Sequence, residues 1–314
     1  MTVDADLQKV LDMIREADRP PHRDIPIKEA RAGYQALVNL LDPQGEIIHR
    51  SEDRIIPGPA GHVPARIYWP RENDKYEKLG LFMYLHGGGY VMGDLNTHDH
   101  LCRRLANRGD CIVVSVDYRL APEHPFPAGR DDCIAAMNWC ADHAGELGAD
   151  SARIAIGGDS AGGNLSAVCA ITARDQGDPI LRLQLLIYPA VAPEMNSHSH
   201  TAFGDGYLLT QENMTWFIEQ YSGGQDLSND PTYAPLIADD HRGLAPAEII
   251  VAGYDPLRDE GMAYGKILSA AGVDVNIINF EGAIHAFMQF HDASQACREA
   301  VDYCGAVIKK ALSA

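Results

Sequence analysis

Hydrophobic positions along the chain follow two periods, and the switch between them divides it. From about residue 3 to 17, Leu7, Val10, Leu11 and Ile14 recur at helical spacing, with Asp4 placed to cap the first turn. A second amphipathic stretch, about 27–41, puts Ala30, Tyr34, Leu37, Val38 and Leu41 in phase, and Pro20 and Pro21 separate it from the first. Strand patterns begin only near Glu46. Residues 47–56 and 63–69 read as an antiparallel edge pair around the Gly58-Pro59-Ala60-Gly61 turn. Strands at 79–85, 111–116, 153–156 and 181–188 then alternate with helices at 96–107, 128–143 and 161–174. Continuous apolar strands alternating with helices predict a mostly parallel sheet covered on both faces.

The alternation lapses between 189 and 243, where one helix-like piece stands at 212–221. It returns with strands at 248–252 and 273–280 and helices at 256–271 and 293–310. The expected fold class is therefore α/β, with an eight-stranded sheet. The expected organisation is an N-terminal helical cap segment (1–45), a core (46–189 and 244–314) and a cap insertion (190–243).

Composition narrows the function classes. The chain has 314 residues, 46% hydrophobic, enough for one large core. Its net charge is −18 and it has no block of clustered Lys and Arg, which argues against a nucleic-acid partner. No apolar run approaches membrane-spanning length, and charges throughout residues 1–15 argue against a signal peptide, so a cytoplasmic protein is expected. Seven scattered cysteines form no Cys-x-x-Cys pair. Cys133/Cys140 and Cys297/Cys304 stand two helical turns apart, as expected of buried helix faces in a reducing compartment. His98, His100, His198 and His200 lack matching cysteine or carboxylate partners and are not read as metal ligands.

The candidate chemistry begins at Arg153-Ile154-Ala155-Ile156-Gly157-Gly158-Asp159-Ser160-Ala161-Gly162-Gly163-Asn164-Leu165, which reads as strand, sharp turn and helix. Gly158-x-Ser160-x-Gly162 matches the nucleophile-elbow pattern, in which a strained turn leaves no room for side chains beside the serine. A serine hydroxyl needs a base, an orienting carboxylate and an anion hole. In open parallel sheets, sites form at the carboxyl ends of strands. Besides Ser160, three polar groups follow strand ends: the His86-Gly87-Gly88-Gly89 run, Asp255 and His285. Their chain order, serine, aspartate, histidine, is that of the α/β-hydrolases. His285 would take the Ser160 proton, Asp255 would orient His285, and the N–H groups of Gly88, Gly89 and Ala161 would bind the oxyanion. Activity should fall on the acid side as the imidazole becomes charged.

With these residues in place, the sequence resembles the hormone-sensitive-lipase-like carboxylesterases of the α/β-hydrolase superfamily. The resemblance rests on His86-Gly87-Gly88-Gly89-Tyr90, the Asp117–Ala128 block, Gly158-Asp159-Ser160-Ala161-Gly162-Gly163-Asn164, Asp255-Pro256-Leu257-Arg258-Asp259-Glu260-Gly261 and Gly282-x-x-His285-x-Phe287, and spans about residues 60–300. It implies the α/β-hydrolase fold with a helical cap, a Ser160–Asp255–His285 triad, an oxyanion hole from Gly88, Gly89 and Ala161, no cofactor, and hydrolysis of short- to medium-chain acyl esters. It leaves His86 as a loop brace, and the Asp117–Ala128 block as a brace beside the glycine run. Ala286 stands where the family commonly has glycine. Two further readings share these residues: an amidase or peptidase using the same triad, and a non-catalytic small-molecule receptor on the same fold. Receptors of this kind tend to lose a triad member, whereas all three are present here.

Overall fold

The computed structural model describes residues 2–72 and 77–313. Its centre is an eight-stranded sheet of β1 (Arg50–Gly58), β2 (Gly61–Trp69), β3 (Leu79–Leu85), β4 (Cys111–Val116), β5 (Ala149–Asp159), β6 (Leu181–Ile187), β7 (Ala247–Tyr254) and β8 (Val275–Ile284). The spatial order is β1-β2-β4-β3-β5-β6-β7-β8. β1 and β2 pair antiparallel, as the turn between them demands, and β2 meets β4 antiparallel. Every later pairing is parallel.

The period-2 geometry of strands explains the unbroken apolar runs. Along β3, Leu81, Met83 and Leu85 enter one core while Phe82 and Tyr84 enter another on the opposite face. Helices α4 (Ala128–Leu147) and α5 (Ala161–Gln176) cover the first core through Ala136, Cys140, Leu165 and Cys169. Helices α3 (Asp99–Gly109) and α9 (Gln295–Leu312) cover the second through Leu105, Val301, Cys304 and Ile308. Helix α8 (Arg258–Ala270) packs Tyr264 and Leu268 on Ile249 and Val251 of β7. Each such fully buried large apolar side chain stabilises the fold by about 1.5–3 kcal/mol. All seven cysteines are free and buried.

In the front segment, α1 (Ala5–Glu16) is capped by Asp4, whose carboxylate accepts from the N–H groups of Asp6 and Leu7. α2 (Ile27–Leu41) buries Ala30 and Val38. The stretch after β6 holds more structure than the sequence signalled. Besides α7 (Gln211–Ser222) it contains the short α6 (His198–Phe203). α6 is polar and lacks an apolar stripe; a capping box between Ser197 and His200 and the bond from Ser199 Oγ to the Pro256 carbonyl hold it.

Several boundaries also differ. β5 starts at Ala149, four residues before the expected 153, because Ala149 pairs with Leu79 ahead of an irregularity in register. β1 starts at Arg50, not 47, and Ile47 is solvent-exposed. β8 runs four residues beyond the expected 280, to Ile284, which pairs with Tyr254 after a register shift in the β7 ladder. Among the described residues, no helix is long and apolar enough to cross a membrane.

Candidate active site

β5 ends at Asp159 and α5 begins at Ala161, so Ser160 alone makes the turn between them. Its φ of 54° and ψ of −117° lie outside the regions favoured by L-residues. The turn is held from both sides. The Ser160 N–H donates to the Ile187 carbonyl at 2.8 Å, and the Ser160 carbonyl accepts from the Asn164 N–H at 3.1 Å. Gly158 and Gly162 are required for a reason the motif alone did not give. A Cβ at either position would collide with the carbonyl oxygen of Leu85, the last residue of β3.

Asp255 follows β7 directly and His285 follows β8 directly, so the parallel sheet delivers both to the edge that carries Ser160. His285 Nε2 lies 3.0 Å from Ser160 Oγ, and His285 Nδ1 lies 2.8 Å from Asp255 Oδ2. The other Asp255 oxygen accepts from the Leu257 N–H at 2.8 Å. Asp255 is fully buried and His285 nearly so. A carboxylate beside Nδ1 selects the tautomer with its proton there, leaving the Nε2 lone pair to face the hydroxyl. The Tyr188 ring packs against the imidazole at 4.9 Å between centroids.

Gly88 and Gly89 adopt φ values of 116° and 61°. A Cβ on Gly88 would strike the Met92 carbonyl, and one on Gly89 would enter the Phe217 ring of α7. Ala161 is the first residue of α5, where a helical N–H has no partner within the helix. Among the described residues, no acceptor pairs with the N–H of Gly88, Gly89 or Ala161.

The glycine run is braced from below. The Tyr118 hydroxyl donates to the His86 carbonyl at 2.6 Å, and its ring stacks on His86 at 4.3 Å. The Ala121 N–H donates to the Tyr90 carbonyl at 2.9 Å. Arg119 bridges both oxygens of buried Asp132 at 2.7 and 2.8 Å, fixing this block to α4. His86 is fully buried, and burial, reinforced by neighbouring His98, pushes its pKa down to about 4. It is therefore neutral at neutral pH, and its Nδ1 lies 2.8 Å from the Gly87 carbonyl oxygen of the glycine run.

Sequence reasoning assigned no role to Asp159, Gln289 or Asn164. Asp159 Oδ1 accepts from the Tyr84 hydroxyl at 2.7 Å and the Gly87 N–H at 2.9 Å, with His98 Nε2 at 3.2 Å. Asp159 Oδ2 accepts from Gln289 Nε2 at 2.9 Å. Burial alone would raise this carboxyl, but His98 and these donors outweigh it and hold the pKa down at about 2. Asn164 Nδ2 donates to the carbonyls of Ala190 and Tyr233 at 2.6 and 2.7 Å, tying α5 to the insertion. The available signals were a charged residue ending an apolar strand, and a lone polar residue in Phe287-Met288-Gln289-Phe290.

A cavity of about 700 Å³ opens over Ser160 and His285. Its walls come from the front segment (Ile14, Tyr34, Leu37) and from the insertion (Leu209, Met214, Phe217). Ala286, with φ of 61°, also lines it. The four histidines considered as ligands are engaged elsewhere. His98 faces Asp159, His100 Nδ1 meets the Asp42 carbonyl at 2.9 Å, His198 begins α6, and His200 belongs to that helix's capping box. Among the described residues, the ligand atoms that converge are those of Asp42, His291 and Asp292. Asp42 is already paired in the interior with Arg104.

This geometry accords with comparisons to known proteins. A family model described as the alpha/beta hydrolase fold matches residues 82–289. The chain is 46% identical to esterase LipI of Mycobacterium tuberculosis over 254 residues, covering 81% of this chain and 79% of that protein. It is 44% identical to carboxylesterase NlhH of the same organism over 310 residues, covering 96% and 88%. The solved structure of a hyperthermophilic esterase from the archaeon Pyrobaculum calidifontis superposes with a TM-score of 0.95 at 42% identity, covering 99% of each chain. With the serine turn, the sheet order and this breadth of similarity together, the chain belongs to the hormone-sensitive-lipase-like carboxylesterases, carboxylic ester hydrolases of the α/β-hydrolase superfamily.

Proposed function

We propose that ester hydrolysis here runs through an acyl-enzyme on Ser160. His285 Nε2 accepts the Ser160 proton as Oγ attacks the ester carbonyl carbon. The carbonyl π electrons move to oxygen, and the N–H groups of Gly88, Gly89 and Ala161 stabilise the resulting oxyanion. Collapse of the tetrahedral intermediate breaks the bond to the alcohol oxygen, which takes the proton from His285. Water then repeats the sequence and releases the acid. Asp255 holds the imidazole in place and stabilises the imidazolium. The observation that carries this reading is the chain of two hydrogen bonds, 2.8 and 3.0 Å, joining residues 255, 285 and 160.

The front segment (1–45) and the insertion (190–243) act in this reading as a cap over the acyl and alcohol groups. The apolar lining and volume of the cavity suit short- to medium-chain acyl esters. Seven buried free cysteines fit a cytoplasmic location.

The test is rapid mixing with p-nitrophenyl esters of increasing acyl length. The reading expects a burst of one p-nitrophenol per site with a slowly deacylating ester, and an acyl mass increment mapped to Ser160. It also expects rates that fall for acyl chains too long for the cavity. A mass increment on another residue would refute it.

A further inference from the structure

We propose that helix α2 is a two-point clamp on the glycine loop, making Arg31 and Tyr34 positioning residues for the oxyanion donors. This rests on the reading of Gly88 and Gly89 as donors and adds to it a role for the front segment beyond lining the cavity.

Arg31 and Tyr34 stand three apart on α2, hence on one face of the helix. Arg31 holds the downstream end of the loop. Its Nε donates to the Val91 carbonyl at 2.8 Å, and its Nη2 donates to the Ala121 carbonyl at 3.0 Å. Ala121 in turn donates its N–H to the Tyr90 carbonyl. The accompanying Arg31–Glu123 ion pair is solvent-exposed and contributes little by itself. The carbonyl contacts are what fix the chain.

Tyr34 holds the upstream end through a relay. Its hydroxyl donates to Gln289 Oε1 at 2.5 Å, Gln289 Nε2 donates to Asp159 Oδ2, and Asp159 Oδ1 accepts the Gly87 N–H. The Asp159 carboxylate demands the amide NH2 on its side, which leaves Oε1 for Tyr34. Gln289 and Asp159 are both buried, so losing the Tyr34 hydroxyl strands an acceptor away from water.

Gly88 and Gly89 lie between the two anchors and carry no side chains of their own to hold them. Glycine loops sample many conformations unless fixed from outside. Oxyanion donors stabilise charge only when their direction is set before the reaction. Beyond the turn bonds from the Val91 and Met92 N–H groups to the Gly88 carbonyl, helix α2 adds a hold at residues 87 and 91 together. Gln289 also lies four residues after His285, so the same relay reaches the segment carrying the base. A state in which α2 lifts away loses both anchors at once. The braces from Tyr118, Ala121 and Asp159 would remain, but the donors would be held less firmly without the helix, which couples cavity closure to chemistry.

The experiment compares wild type with Tyr34→Phe and Arg31→Met, each retaining most of its packing surface. The measurements are kcat and KM across p-nitrophenyl esters of several acyl lengths, and inhibition by a boronic acid whose serine adduct places an oxygen in the donor site. The clamp predicts a kcat loss on the order of tenfold in each variant, equal at every acyl length, with KM little changed. Boronate affinity should weaken by a similar factor while thermal unfolding stays cooperative. Should Arg31→Met fail to fold, Arg31→Lys, which cannot span both carbonyls, gives the same reading. A kcat within twofold of wild type in both variants overturns the clamp, as does a loss confined to KM that varies with acyl length. Ser160→Ala in the same assay keeps the two ideas apart. If it still turns over, the nucleophile reading fails independently.

Discussion

The backbone of Gly162 abuts the carbonyl oxygen of Leu85 so closely that a methyl group has no place between them. The first turn of α5 is thus seated on the end of β3, and Ser160 is presented by that contact. Gly162→Ala must push the helix off the strand. It should destabilise the protein by about 1–3 kcal/mol and displace Ser160 as well. Thermal melts and ester turnover measured together check this: both should fall.

Ser160 holds a left-handed φ that alanine shares the cost of and glycine does not. Ser160→Gly should therefore be more stable than Ser160→Ala by about 1 kcal/mol, with both lacking activity. Urea unfolding of the two proteins checks this; neither retains the hydroxyl, so the difference is relief of the backbone strain less the cost of glycine's greater freedom in the unfolded chain.

Ala286, beside His285, also has a left-handed φ of 61°, but with ψ of 11° it lies much nearer the allowed left-handed region than Ser160 does. Ala286→Gly should raise stability by up to about 1 kcal/mol, the relief being offset in part by the greater freedom of glycine in the unfolded chain. A higher unfolding midpoint is the expected result.

Two buried groups behind the site set opposite ends of the acid response. His86 titrates near 4 in the folded protein against an ordinary 6.5, so between those values the unfolded chain binds a proton that the folded one excludes. Stability should fall by about 3 kcal/mol as pH drops through that window, and His86→Asn should remove that slope. Asp159 titrates near 2 against an ordinary 3.8. Its contribution, about 2 kcal/mol, is present above pH 4 and lost between pH 4 and 2. The deficit of Asp159→Asn at neutral pH should therefore shrink across that lower window. Denaturant midpoints measured from pH 7 to 2 test both.

What could be read from the sequence was whatever the chain states locally. The strands around Leu81 and Val113 are apolar without interruption, because both faces are covered. Asp255 and His285 were legible because the carboxyl edge of a parallel sheet collects chemistry whatever the loops do. The relay from Tyr34 to Gly87 was not, since its members are separated by 255, 130 and 72 positions and each hydrogen bond is set by tertiary packing. The need for glycine on both sides of Ser160 was legible as crowding, but the obstacle itself, Leu85, was not, because it lies far away in sequence. Helix α6 escaped for a related reason. Its stability comes from Ser197, Asp259 and the Pro256 carbonyl, not from an apolar stripe.

The most direct test of the account is steady-state hydrolysis of a p-nitrophenyl ester by Ser160→Ala beside the wild type. The account predicts a loss in kcat on the order of 10⁶-fold in a protein that still folds. A variant retaining turnover within tenfold of the wild type would contradict it.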